Sequence, residues 1–138
     1  MKIRALMLIV ALGAIPAAHA DTGDCGSPCS ISTAITGYTA PVEIIKSGTS
    51  VKWTSADSDS HPTSDKPLDQ QPCFFTPVGP SATPVVYVFK IASGKVTAKT
   101  GTITKTCGTA TALPNGDQVL PFQCNVHGWM RGELLIHP

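Results

Sequence analysis

The chain has 138 residues with ten Lys+Arg against nine Asp+Glu, and only 14% of its residues are charged. No basic stripe marks a nucleic-acid partner, and no block of like charge marks a disordered tail. A low charge content together with 12 Gly and 12 Pro fits a loop-rich β domain better than a helical one.

The first twenty residues read as a leader rather than as part of the fold. Lys2 and Arg4 are followed by the apolar run ALMLIVALGAI, then Pro16 and the small-residue site Ala18-His19-Ala20. That is the pattern of a secretory signal peptide, removed on export. The run is too short for a membrane span, and no second run of that length follows. The expectation is a periplasmic or secreted protein, cleaved after Ala20, with residues 21–138 forming one domain. Without Lys2 and Arg4, eight basic residues face nine acidic ones.

Strand signals then dominate. STAITGYTA and VEIIKSGTSVKWTS are rich in β-branched and aromatic residues, with Ser47-Gly48 as a turn. In SVKWTS, Val51 and Trp53 alternate with Lys52 and Thr54, the period of a strand with one buried face. The stretch 62–84 holds Pro62, Pro67, Pro72, Pro77, Pro80 and Pro84 and reads as a long ordered loop with room for one helical turn. PVVYVFKIASGKVTAKTGTITK predicts two strands around Ala92-Ser93-Gly94, the first apolar enough to be central. Asn115-Gly116 marks another turn before QVLPFQC, and GELLIHP is the last strand. Short strands separated by turns predict an all-β sandwich or barrel.

The terminal segment FQCNVHGWMRGELLIHP places Cys124, His127 and Met130 within seven residues. Thiolate and thioether select copper(I), and imidazole suits both copper oxidation states. Two histidines, one cysteine and a weak axial methionine make the blue-copper arrangement. One loop supplies three of these four ligands. Beyond the leader the histidines are His61, His127 and His137, and the one methionine is Met130. His137 ends a strand that leads away from the loop and reads as an exposed tail residue. His61 follows the SVKWTS strand and can sit at one end of the sandwich. The expected site is therefore His61, Cys124 and His127 with Met130 axial. Asp57, Asp59, Asp65 and Asp69 lie loosely on loops and read as a solvated face.

Five cysteines, Cys25, Cys29, Cys73, Cys107 and Cys124, lie beyond the leader. Export favours pairing, and an odd count leaves one over. Cys124 is the natural unpaired one. The other four allow three connectivities, of which Cys25–Cys29 and Cys73–Cys107 are favoured. CGSPC could instead bind a metal, but export favours the bridge. The second bridge would tie the Pro-rich loop to 95–114 and stabilise by roughly 4 kcal/mol on the chain-entropy estimate.

Two segments, VEIIKSGTSVKWTSADSDSHPTS and FQCNVHGWMRGELLIHP, resemble the cupredoxins, the small type 1 copper proteins. The C-x2-H-x2-M loop followed by Arg-Gly is most similar to that of amicyanin; plastocyanin and pseudoazurin have a longer His-to-Met spacing. The resemblance implies a Greek-key β-sandwich of about eight strands and one-electron transfer by a single copper ion. It implies His61, Cys124 and His127 as equatorial ligands and Met130 as the axial one. An apolar surface near His127 and Trp129 would receive redox partner proteins, and the protein is expected to be a monomer.

Two features depart from the family. There, the residue after the upstream histidine usually donates its N–H to the cysteine sulfur; here it is Pro62, which has none. The thiolate then keeps more negative charge, and a lower reduction potential is expected. Residues 95–114 read as an insertion without an assigned role. Among rival functions, a copper chaperone or storage protein could use the same ligands, but such proteins rely on Met- and His-rich tracts. A multicopper oxidase needs His-x-His motifs that this sequence lacks. A purely structural disulfide-bonded sandwich leaves the terminal cluster unexplained. No Ser-His-Asp set or carboxylate pair points to an enzyme.

Overall fold

The computed structural model describes residues 24–138; the leader read at 1–20 lies outside the described residues. Twelve strand segments, numbered in chain order, form two six-stranded sheets. Across the first sheet run β2 (Gly37–Tyr38), β1 (Cys29–Ala34), β4 (Ser50–Ser55), β7 (Val86–Ala92), β8 (Lys95–Thr100) and β9 (Ile103–Thr106). Across the second run β3 (Val42–Lys46), β12 (Arg131–His137), β11 (Gln118–Cys124), β5 (Thr63–Ser64) and β6 (Phe75–Thr76), with β10 (Thr111–Ala112) also on β11. Eight of these have four residues or more. The chain changes sheet after β2, β3, β4, β6 and β9, the crossovers of a Greek-key sandwich. Pairing is antiparallel except for β1 with β4 and β3 with β12.

Alternation builds the core. Val51 and Trp53 of β4, Tyr87 and Phe89 of β7, Leu120 and Phe122 of β11, and Leu134 and Ile136 of β12 are all buried. Trp53 stacks on Phe74 at 5.2 Å between centroids and meets Phe122 edge-on at 5.8 Å. The second contact joins the two sheets. Such aromatic pairs contribute about 0.5–1.5 kcal/mol beyond their buried area. Pro121 sits inside β11 without breaking the sheet. On that side β10 pairs only with residues 118–119 and β5 only with 123–124, so the missing N–H falls in the gap between them.

Both favoured disulfides form, Cys25–Cys29 and Cys73–Cys107, and Cys124 is free. Four expectations need correction. Residues 86–106 make three strands, not two. Ser93-Gly94 turns β7 into β8, and Gly101, at φ 55°, opens a second turn into β9. Residues 95–114 are therefore not an appendage: Val96 and Ala98 of β8 are buried against the core. The Pro-rich loop carries one 3-10 turn at Leu68–Gln70 as expected, but also β5 and β6, which attach it to β11. Asp65 is buried rather than solvated. Its carboxylate accepts from Cys73 N (2.8 Å), Phe74 N (3.3 Å) and Thr109 Oγ1 (3.1 Å), fixing the loop beside its disulfide.

Candidate metal centre

The site lies where β11 ends and β12 begins. The two strands pair from Gln118↔Ile136 to Gln123↔Arg131, and the loop between them is held at both ends. Cys124 N donates to Met130 O at 3.0 Å, and Met130 N donates to His127 O at 2.9 Å. From the side, Asn125 N donates to Pro62 O at 2.8 Å, and Asn125 Nδ2 donates to Ser64 Oγ at 2.7 Å. Asn125, which the sequence reading passed over, thus fastens this loop to the segment after His61. The short pairing of β5 with β11, Cys124 opposite Thr63, does the rest.

His61 reaches the same end from the other direction. Its N donates to Val78 O at 2.6 Å, its carbonyl accepts from Thr63 Oγ1 at 2.9 Å, and its side chain is fully buried. Nε2 lies 2.9 Å from Asp57 Oδ1, which leaves Nδ1 turned inward. There it meets His127 Nδ1 at 3.1 Å. His127 Nδ1 is in turn 3.6 Å from Cys124 Sγ, and His127 N donates to that sulfur at 3.3 Å. His61, Cys124 and His127 therefore present one donor atom each, all within 4.8 Å of one another. Met130 is buried at the start of the return strand. The other clustered group, Cys25, Cys29 and Glu43, has its sulfurs in a disulfide.

Asp57 is not part of a solvated face. Its Oδ2 accepts from Ile35 N at 2.6 Å, and its Oδ1 accepts from Asp59 N at 3.0 Å besides facing His61. The contact with His61 is the main reason that its carboxyl is held below the usual range, against the opposing effect of burial. Nearby, burial pushes the Tyr38 phenol well up, against the hydrogen bond with Thr63, and the charge of Cys124 adds to the rise. That phenol sits 3.0 Å from Thr63 Oγ1 and edge-on to Phe122 at 4.8 Å, so a neutral aromatic wall backs the cysteine strand.

On the outer side, Trp129 is 67% exposed, beside exposed Val126 and Ile35. Its ring is 5.1 Å from that of His127, and its Nε1 donates to Ile35 O at 3.3 Å. His137 stands at the far end of β12. It is not a free tail residue: Nδ1 lies 2.8 Å from Asp117 Oδ1, and Nε2 lies 3.7 Å from Asp24 Oδ1. No helix among the described residues is long and apolar enough to cross a membrane.

The donor set fits a single soft ion. Ligands held at roughly 2.0–2.3 Å from one metal lie at most about 4.6 Å apart, and the 3.1 and 3.6 Å separations fall inside that limit. Two imidazole nitrogens with a buried thiol match copper better than a hard cation, which takes oxygen ligands.

No family model matches the sequence, and no curated protein matches it. Among solved structures, the chain is similar to a purple cupredoxin from Nitrosopumilus maritimus, with 18% identity over 78% of this chain and 98% of that one, at a TM-score of 0.48. It is also similar to a mutant of amicyanin in its Cu(I) form, with 13% identity over 85% of this chain and 87% of that one, at a TM-score of 0.43. A second amicyanin mutant, in its oxidized state, gives the same identity, coverage and TM-score. These three solved structures are cupredoxins, the family that the terminal motif resembles.

Proposed function

We infer that residues 21–138 form one cupredoxin-like domain that holds a single type 1 copper ion and carries electrons one at a time. His61 Nδ1, Cys124 Sγ and His127 Nδ1 would hold the ion, with Met130 as the fourth and weaker ligand. One observation carries this reading: the Nδ1 atoms of His61 and His127 face each other at 3.1 Å, with the free Cys124 sulfur 3.6 Å from the second. The copper ion supplies a Cu(II)/Cu(I) couple. The chain supplies what makes such a couple fast, a ligand set that barely moves between oxidation states. Two backbone bonds across the loop, the Asn125 bonds to Pro62 and Ser64, and the burial of His61 and Cys124 all oppose movement.

His127 is the ligand nearest the surface. Exposed Trp129 lies against it, with its ring 5.1 Å away and its Nε1 bonded to the carbonyl of exposed Ile35; a redox partner would dock on this apolar side, and the protein would act as a monomer. Export to the periplasm or medium agrees with the leader and with two disulfides. The reading involves no substrate turnover.

The test is the visible spectrum of the protein as Cu(II) is added. An intense thiolate-to-copper band, bleached by a mild reductant and restored by an oxidant, supports the type 1 site. A weak spectrum, or reduction of copper with oxidation of Cys124, overturns it and directs attention to copper storage or delivery.

A further inference from the structure

Asp57 is tied into the site from two sides. It lies four residues before His61, on the loop after β4, with its side chain 24% exposed. One carboxylate oxygen faces His61 Nε2 at 2.9 Å, and the other accepts from Ile35 N at 2.6 Å. Asp59 N also donates to the first oxygen, and Ser55 Oγ lies 3.4 Å from it. The carboxylate is therefore fixed before any ion arrives. The Ile35 peptide continues outward, since its carbonyl accepts Trp129 Nε1.

A neutral imidazole has one N–H and one lone pair. A carboxylate on Nε2 holds the proton there and leaves the lone pair on Nδ1, the nitrogen that faces His127. Partners of this kind fix the tautomer of a ligating histidine and raise its basicity. A fixed negative charge close to the metal also favours the more positive oxidation state.

We propose that Asp57 is the positioning residue of the site: it fixes His61 as the Nε2–H tautomer with Nδ1 free, and its charge lowers the reduction potential. This rests on the copper reading for the potential but not for the tautomer. Two variants separate the roles. Asp57→Asn keeps an oxygen that can accept from Nε2 and removes the charge. Asp57→Ala removes both.

The first measurement uses the metal-free protein, by nitrogen-detected NMR of the His61 ring at neutral pH. Wild type and Asp57→Asn are expected to show the Nε2–H tautomer alone, and Asp57→Ala a mixture. The second measurement is redox titration of the copper-loaded proteins. Both variants are expected to rise in potential, and Asp57→Ala to lose about 10–100-fold in Cu(II) affinity. An Nδ1–H tautomer in wild type, or one unchanged in Asp57→Ala, overturns the positioning role. Potentials equal to wild type in both variants overturn the role of charge. If wild type forms no type 1 site, the copper reading fails while the tautomer result still decides the positioning role. Should Asp57→Ala not fold, Asp57→Asn decides the charge role, and an Nδ1–H tautomer in wild type still overturns the positioning role.

Discussion

Among the described residues two histidines meet carboxylates, one at each end of the β11–β12 hairpin. His61 meets Asp57 at 2.9 Å, and His137 meets Asp117 at 2.8 Å. By distance the two are alike. They differ in which nitrogen is used and in what faces the other one. His61 spends Nε2 on its carboxylate and turns Nδ1 toward His127 and Cys124. His137 spends Nδ1 on Asp117, and its Nε2 points to a second carboxylate, Asp24. The first imidazole is wholly buried and the second is 37% exposed. A histidine beside an acid is thus no sign of a metal ligand. What sets His61 apart is full burial and a second nitrogen that faces His127 rather than another acid.

The largest effect should come from exchanging the two histidines' fates. His61→Ala is expected to abolish the thiolate-to-copper band. His137→Ala should leave the band unchanged and cost about 1–3 kcal/mol in urea unfolding, because it takes a hydrogen-bond partner from the buried Asp117 carboxylate. Loss of the band in His137→Ala would break the contrast.

Next comes the scaffold on which both ends depend. The Cys73–Cys107 bridge holds the segment that carries β5 and β6, and β5 pairs beside Cys124. Replacing both cysteines by serine should cost roughly 2–5 kcal/mol while the His137 end keeps its contacts. Gly132 lies on the return strand between the two ends. A Cβ there would lie 2.6 Å from Phe122 Cε2 and 3.0 Å from the Pro41 carbonyl. Gly132→Ala should therefore cost about 1–3 kcal/mol through overpacking, read from the denaturation midpoint. A midpoint equal to wild type would mean that Phe122 moves freely, against its place between Trp53 and Tyr38.

A smaller effect is expected from pH at the His137 end. His137 donates to Asp117 and Asn115 supports it, so the Asp117 carboxyl is held below its usual value of 3.8. A carboxyl with a lowered folded value adds stability above its unfolded value, and that stability is lost as pH falls through the folded value. Stability should therefore drop below about pH 4, and Asp117→Asn should flatten that part of the curve. Equal acid slopes in variant and wild type would show that this pair does not matter to folding.

Much of this was legible in the sequence, and the residues show why. The strands follow from alternation such as Val51 and Trp53, and the cluster of His61, Cys124 and His127 follows from soft side chains at a tight spacing. The disulfides follow from the export that the leader predicts and from the odd count of cysteines. Asp57 and Asp65 were misread because an aspartate in a loop of Ser, Asp and Pro looks solvated. Several of their partners, Ile35 N for Asp57 and the Thr109 hydroxyl for Asp65, come from far along the chain, where only tertiary folding brings them near. His137 was recoverable. Pairing Gln118 with Ile136 sets Asp117 opposite His137 one step further on, so the register of the hairpin contained the ion pair. Asn125 gave no sequence signal, since its partners lie across the sheet.

The smallest effect concerns the thiolate itself. Cys124 Sγ receives the His127 N–H at 3.3 Å, while Pro62, next to His61, has no N–H to offer. Each donor to the sulfur draws charge from it and weakens its preference for Cu(II). Pro62→Ala supplies an N–H at the position where the family usually has one, without touching the Pro62 carbonyl that holds Asn125. The reduction potential should rise, by less than in Asp57→Asn, since one hydrogen bond replaces no charge. The His137 end provides the control, because Asp117→Asn should leave the potential where it is. An unchanged or lower potential in Pro62→Ala would mean that the backbone at 62 does not face the sulfur, and that His127 N is the donor that sets the thiolate's charge.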